Sequence, residues 1–189
     1  MEVKEDILNL LGLVKREGMP ALITYLKESD FFTAPCSTQF HLACEGGLAK
    51  HSLNVYDLLT EKVKRYSLGT PEDSIVICGL LHDLCKTNYY VRGKRNVKEN
   101  GKWSEKEIWE VKDQFPLGHG EKSVILAQNF IHLTIDEQLA IRWHMVAFDA
   151  GIHFNYPSGY AFREASKNPL VVALFTADYE ASKILEGEE

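Results

Sequence analysis

The chain has 189 residues, enough for one compact domain with a sizeable core, and its 45% hydrophobic and 25% charged content exclude the disordered and collagen-like classes. A formal net charge of −6 argues against a broad surface for duplex DNA, because such binding draws on Lys and Arg neutralising phosphates. No apolar run reaches the ~20 residues that span a bilayer, and the acidic stretch from Met1 to Asp6 is unlike a basic secretory leader, so the expectation is a cytoplasmic protein without a membrane partner.

Val3, Ile7, Leu10, Leu11 and Val14 recur near helical spacing, and Gly18 with Pro20 then breaks the pattern before a short second helix through about Lys27. Both read as helices packed on a domain core of about residues 40–185, within a single domain covering residues 1–189. From Ser29 to Gly47 the chain is irregular and rich in Phe, Pro and Cys, and Gly46-Gly47 can deliver backbone to a tight helix start. The next helix is expected from about Leu48 to Tyr66, with Leu48, Val55, Leu58, Leu59 and Val63 on its apolar face and His51 near its start. Thr70 then offers an N-cap, followed by Pro71 at the first helical position and acids in the first turn; the helix so started carries His82 and Asp83.

Residues 88–113 break the helical rhythm. Tyr89–Val91 and Lys106–Val111 read as short strands of a protruding hairpin with a turn near Gly101. Its cations Arg92, Lys94, Arg95, Lys98, Lys102 and Lys106, interleaved with Tyr89, Tyr90 and Trp103, suit a phosphate backbone with stacked bases; the interspersed acids favour a merely solvated hairpin. A helix is expected from about Glu121 to Phe130, and Thr134 with Glu137 forms a capping-box pattern that starts another through Phe148. Residues 149–168, with His153, Phe154, Tyr156, Tyr160, Phe162 and Arg163, read as a long loop, either a packed surface lid or a substrate-facing one. A final helix fits Pro169 to Leu185. The four cysteines, Cys36, Cys44, Cys78 and Cys85, show no CxxC pairing and read as reduced thiols, not as a disulfide framework or a structural zinc site.

Within the apolar stretch Ser74–Lys86 stands the pair His82-Asp83, an imidazole and a carboxylate that are costly to bury without a partner. A hydrogen-bonded core pair would satisfy them, but so would a divalent metal, and His51, His119, His144 and Asp178 supply further ligand types on separate predicted helices. His132, before Thr134, reads as structural at a helix C-terminus, and His41 and His153 as surface groups or outer contacts of the site. Lys86 follows His82 by four residues and Asp83 by three, so its ammonium can reach the mouth of the same site.

The order His51, His82-Asp83, His119, His144, Asp178 resembles the signature of the HD-domain metal-dependent phosphohydrolase superfamily over roughly residues 40–182. The local strings Phe40-His41-Leu42-Ala43-Cys44-Glu45-Gly46-Gly47-Leu48-Ala49-Lys50-His51, Leu80-Leu81-His82-Asp83-Leu84-Cys85-Lys86 and Leu117-Gly118-His119 are similar to the HD domain of bacterial exoribonucleases that work 3′ to 5′ and carry an OB-fold. The resemblance implies an all-α HD-domain helical bundle with a small β-hairpin insertion near residues 88–113. It also implies one or two divalent cations (Mn, Fe, Ni, Co, Zn or Mg), one held by His51, His82, Asp83 and Asp178, a second by His119 and His144, with Asp83 bridging. Such bridging agrees with two-metal sites, whose ions lie ~3.5–4 Å apart. The implied catalytic residues are Asp83 and the phosphate-contacting Lys86. The implied activity is hydrolysis of a phosphate ester of a nucleotide or a short single-stranded nucleic acid. Two rival expectations are a di-iron oxygenase on the same ligands and a module that binds a nucleotide without hydrolysing it.

Overall fold

The computed structural model describes residues 2–99, 101–146 and 156–187, and within these the chain is mostly helical with one two-stranded antiparallel sheet. The order is α1 (Glu2–Leu13), α2 (Met19–Glu28), α3 (Gly47–Tyr66), α4 (Glu72–Leu81), a 3₁₀ turn (Leu84–Lys86), β1 (Tyr90–Glu99) and β2 (Lys102–Val111). It continues with α5 (His119–Gln128), α6 (Ile135–Trp143), α7 (Tyr156–Ala165), α8 (Pro169–Glu180) and a π-helical turn (Ala181–Leu185). Among the described residues no helix is long and apolar enough to cross a membrane.

Helix α4 is the axis of the core. Every residue from Ser74 to Leu81 is buried, so its apolar surface runs all round and needs neighbours on every side. Helices α1, α3 and α6 supply them, while α8 packs on α3 and α6. Gly79 permits the α3–α4 approach: a Cβ built there would lie 2.6 Å from the Tyr56 Cα. At the start of α3, Gly46 takes φ +77°, and a Cβ on Gly47 would lie 2.1 Å from the Leu42 carbonyl oxygen, so only glycine admits this crossing of loop and helix.

Several boundaries differ from the sequence expectation. Pro71, not Thr70, is the N-cap of α4: its carbonyl accepts the N–H groups of Ser74 (3.0 Å) and Ile75 (3.1 Å), and no side chain caps the helix. Asp73, in the first turn, instead accepts the Lys15 N–H at 3.2 Å and ties down the end of α1. Helix α4 also stops at Leu81, so His82 is its C-cap and Asp83, at φ −103° and ψ 23°, begins the 3₁₀ turn that carries Lys86. The capping box at Thr134 and Glu137 is present, but α6 ends at Trp143, before the expected Phe148, which lies outside the described residues.

Residues 156–165 are helical where a loop is expected, because Pro157 stands in the first turn, where no intrahelical N–H is required, and Phe162 and Ala165 share one face. Phe162 meets Trp143 at 5.7 Å between ring centroids, which docks this helix on α6. His153 and Phe154 lie outside the described residues, as do the contacts of Tyr156.

The hairpin is longer than the short strands expected: ten residues pair with ten, from Tyr90 opposite Val111 to Glu99 opposite Lys102. A lone two-stranded ribbon is marginal in water. Here the Arg92 guanidinium lies 3.7 Å from the Trp109 ring centroid and Lys94 pairs with Glu105 at 2.7 Å. The base is fastened by the Lys112 N–H on the Tyr89 carbonyl (2.9 Å) and by the Tyr90 hydroxyl on the Cys36 carbonyl (3.1 Å).

Candidate metal centre

Four helices deliver imidazoles and carboxylates to one buried point. His51 comes from the first turns of α3, His82 and Asp83 from the end of α4, His144 from the end of α6 and Asp178 from α8. His51 Nε2 lies 3.1 Å from Asp178 Oδ1, 3.2 Å from His82 Nε2 and 3.7 Å from Asp83 Oδ2. The ligand atoms of His51, His82 and Asp178 all fall within 4.8 Å of one another. Asp83 presents its two oxygens to two sides: Oδ2 is 3.7 Å from His82 Nε2, while Oδ1 is 3.4 Å from His144 Nε2.

The far nitrogen of each imidazole fixes which edge faces inward. His82 Nδ1 donates to the Gly79 carbonyl at 2.9 Å, His144 Nδ1 to the Ile141 carbonyl at 2.6 Å, and His51 Nδ1 to Glu186 Oε2 at 2.9 Å. With Nδ1 so engaged, all three Nε2 atoms converge on the interior, the orientation that outer hydrogen bonds give metal-binding histidines. Among the described residues His144 Nε2 is buried without a hydrogen-bond partner, its 3.4 Å approach to Asp83 lacking hydrogen-bond geometry. An unsatisfied buried nitrogen costs ~1–3 kcal/mol unless something takes its lone pair or proton.

The electrostatics divide the imidazoles into two kinds. Burial, reinforced by the charge of His144, pushes His82 down to about 4, so it is neutral with a bare Nε2. Burial also opposes charge on His51, but Cys36 and the bonds to Asp178 and Glu186 outweigh it and hold His51 well above the usual imidazole value. Burial works against ionisation of both acids. Lys86 prevails at Asp83, which stays well below the carboxylate range, and the His51 bond brings Asp178 to about 2. Lys86, itself buried, sits with Nζ 2.6 Å from Asp83 Oδ2.

The other residues singled out in the sequence separate clearly. His119, at the start of α5, lines the cleft with its ring 6.2 Å from that of Tyr89, outside the group of His51, His82 and Asp178 whose ligand atoms lie within 4.8 Å of one another. Lys86 reaches the site from the 3₁₀ turn and not from an α-helix. His132 is exposed and in a loop beyond α5; its carbonyl accepts from Arg16 at 3.1 Å. Tyr160, Phe162 and Arg163 are not among the cleft residues, so described residues of α7 offer no substrate-facing lid.

Sequence reasoning missed Glu186, which lies buried past the π-helical turn, holds His51 and accepts from Asn54 at 2.7 Å. Its place in an acidic C-terminal run reads as solvated, whereas Asn54, three residues after His51 on α3, had a readable helical spacing. It also missed a positioned thiol: Cys36 Sγ lies 3.3 Å from His41 Nε2 and 3.5 Å from Lys86 Nζ.

The cluster opens into a cleft of about 450 Å³ lined by Phe40, Tyr89, Tyr90, Phe175 and Tyr179 together with Lys86, His119 and His144. That volume is in the range of small-molecule sites, ~300–1,000 Å³. Compared with protein-family models, with curated proteins and with solved structures, the chain gave no match in any of the three.

Proposed function

We propose that this chain is a metal-dependent phosphohydrolase of the HD type, acting on a phosphate ester of a nucleotide or of a short single-stranded nucleic acid. The observation that carries this reading is the convergence of three Nδ1-anchored imidazoles and two carboxylates on one buried point beside a lysine. The donor set of nitrogen and carboxylate oxygen suits Mn, Fe, Ni, Co or Zn, and His144 Nε2, which has no hydrogen-bond partner among the described residues, supplies a further ligand.

In this reading His51, His82, Asp83 and Asp178 would hold one divalent cation, and His144, Asp83 and His119 a second. Bound there, such cations supply Lewis acidity: they make water nucleophilic near neutral pH and offset charge on phosphoryl oxygens. The remaining work belongs to the chain's own groups. Lys86, held to Asp83 Oδ2 at 2.6 Å and to Cys36 Sγ at 3.5 Å, lines the cleft with a positive charge and a remaining N–H, a point-charge contact for a phosphoryl oxygen. The rings of Phe40, Tyr89, Tyr90, Phe175 and Tyr179 provide apolar walls on which a base can stack and which keep bulk water from the reacting phosphate. Glu186 and the Gly79 and Ile141 carbonyls hold the imidazoles so that little reorganisation is needed when substrate arrives.

The test is metal analysis of the purified protein combined with a panel of nucleotides, phosphodiesters and short oligonucleotides. Phosphate or mononucleotide release that needs Mn or Ni, without oxygen, is the expected result. Oxygen consumption by an iron-loaded protein with no phosphate released would overturn it in favour of the oxygenase. Thermal stabilisation by a nucleotide without any product would overturn it in favour of a binding module.

A further inference from the structure

We propose that Cys36 and His41, joined by a small movement of the Glu186 carboxylate, form a further cation site for a thiophilic divalent ion such as zinc or cadmium, in the cleft beside the cluster of His51, His82, Asp83, His144 and Asp178. Cys36 Sγ and His41 Nε2 are 3.3 Å apart. Two ligand atoms on one tetrahedral zinc, with Zn–S near 2.3 Å and Zn–N near 2.1 Å, sit roughly 3.5 Å from each other. Glu186 Oε2 is 4.0 Å from His41 Nε2, and the ligand atoms of Cys36, His41 and His51 lie within 4.8 Å of one another. Sulfur, imidazole and carboxylate together favour zinc-like ions over Mg or Mn.

The loop holding the two side chains is built to keep them together. The Cys36 N–H donates to the Leu42 carbonyl at 3.0 Å, the Ser37 hydroxyl donates to the His41 carbonyl at 3.0 Å, and the Phe40 N–H donates to the Ser37 hydroxyl at 2.8 Å. Leu42 sits at φ +46°, in the left-handed region that side chains other than glycine rarely occupy. The Tyr90 hydroxyl fixes the Cys36 carbonyl from the hairpin side. Cys36 is buried and His41 lines the cleft, so an ion would reach the pair from the cleft mouth. On binding, the Cys36 thiol loses its proton to solvent and the sulfur bonds to the ion.

Occupation would act on the neighbouring site through two shared groups. Glu186 would be drawn from His51 Nδ1, which it now holds at 2.9 Å, and Cys36 would leave Lys86 Nζ, now 3.5 Å away. The ion is therefore an inhibitor, and this consequence, unlike the binding, rests on the phosphohydrolase reading.

The full chain, preloaded with Mn, is titrated with cadmium while the thiolate-to-metal charge-transfer absorption is read. The expected result is a band that saturates at one cadmium per chain. It should vanish in Cys36→Ser, weaken about tenfold or more in affinity in His41→Ala, and persist in Cys44→Ser and in Asp83→Asn. A wild-type protein with no band, or a band intact in Cys36→Ser, overturns the site. Should Cys36→Ser fail to fold, as judged by circular dichroism, X-ray absorption of the cadmium-loaded wild type decides, with one sulfur neighbour expected and a sulfur-free shell overturning the proposal. Zinc at about ten times its wild-type Kd should lower wild-type turnover about tenfold, while the same concentration should lower that of His41→Ala by only about half. A wild type that binds cadmium through Cys36 but turns over unchanged in zinc overturns the inhibition alone. If no phosphate ester is hydrolysed, the phosphohydrolase reading fails and the cadmium band still decides the site.

Discussion

Replacing Gly79 by alanine tests whether the α3–α4 approach sets the proposed metal centre. In an isolated helix the change stabilises by up to ~1 kcal/mol, since glycine is the poorer helix former. Here the added methyl would sit 2.6 Å from the Tyr56 Cα and 2.8 Å from its Cβ, both parts of α3 that cannot rotate away. Ordinary carbon contacts lie at ~3.5–4.0 Å, so the helices must separate by about 1 Å. Overpacking costs ~1–3 kcal/mol, and a clash with helix backbone belongs to the upper part of that range, so after a propensity gain of up to ~1 kcal/mol a net loss of about 1–2 kcal/mol remains. For a domain of this size that lowers Tm by about 2–8 °C. Since α3 carries His51 and α4 delivers His82 and Asp83, the same separation widens the 3.2 Å approach of His51 Nε2 to His82 Nε2, and metal affinity should fall about tenfold or more. Gly12 in α1 is the contrast: nothing lies within 4 Å of a Cβ built there. Gly12→Ala should therefore raise Tm, by about 0.5–1 kcal/mol of stability. Calorimetric melts of both variants, with metal binding followed by titration calorimetry, provide the comparison. A Gly79→Ala protein as stable as wild type or more so, with unchanged metal affinity, would refute the reasoning.

Asp83→Asn should abolish turnover and metal retention together, because it removes the carboxylate facing both His82 and His144; an active protein that holds no metal would contradict the site. Chelation of the wild type should lower Tm by about 5–10 °C when the metal had stood at a hundred times its Kd, and Asp83→Asn should show no such dependence in a thermal-shift assay. At Glu137 burial favours the neutral acid, but Arg16 at 2.6 Å, the Ser74 hydroxyl and the Thr134 N–H prevail and hold its pKa below the usual carboxyl value. Its contribution is then fully present above the unfolded value of about 4.3 and is lost as pH falls through the lower folded value. Glu137→Gln should cost about 2 kcal/mol near neutrality and progressively less below that window, read from urea unfolding across pH. A cost that stays constant down to the acid limit would defeat the assignment. In the native protein without reductant, one thiol, the exposed Cys44, should react quickly with a thiol reagent, and all four should react after unfolding. Fewer than four in urea would show that a disulfide had formed.

Much of this molecule is written in local pattern. The apolar faces of α1 and α3, the capping box at Thr134 and Glu137, the glycines before α3 and the all-apolar run of α4 follow from spacing and backbone preference alone. The polar pair His82-Asp83 is conspicuous for the same reason, since nothing in a run from Ser74 to Leu81 that is buried on all sides can solvate it. The sequence by itself thus determined which residue types would have to meet. Which of them do meet was decided by helix packing. His51, His82, His144 and Asp178 arrive from four helices, at separations along the chain that no periodicity relates. His119, equally prominent in the sequence, lines the cleft but falls outside the group of His51, His82 and Asp178 whose ligand atoms lie within 4.8 Å of one another. Glu186 shows the same limit from the other side. It lies in a run of acids that local reasoning assigns to solvent, and only the packing of α8 on α3 brings its carboxylate 2.9 Å from His51, 135 residues away. Patterns of spacing specify the faces of elements, but the distances between faces, on which binding and catalysis depend, exist only once the elements are packed.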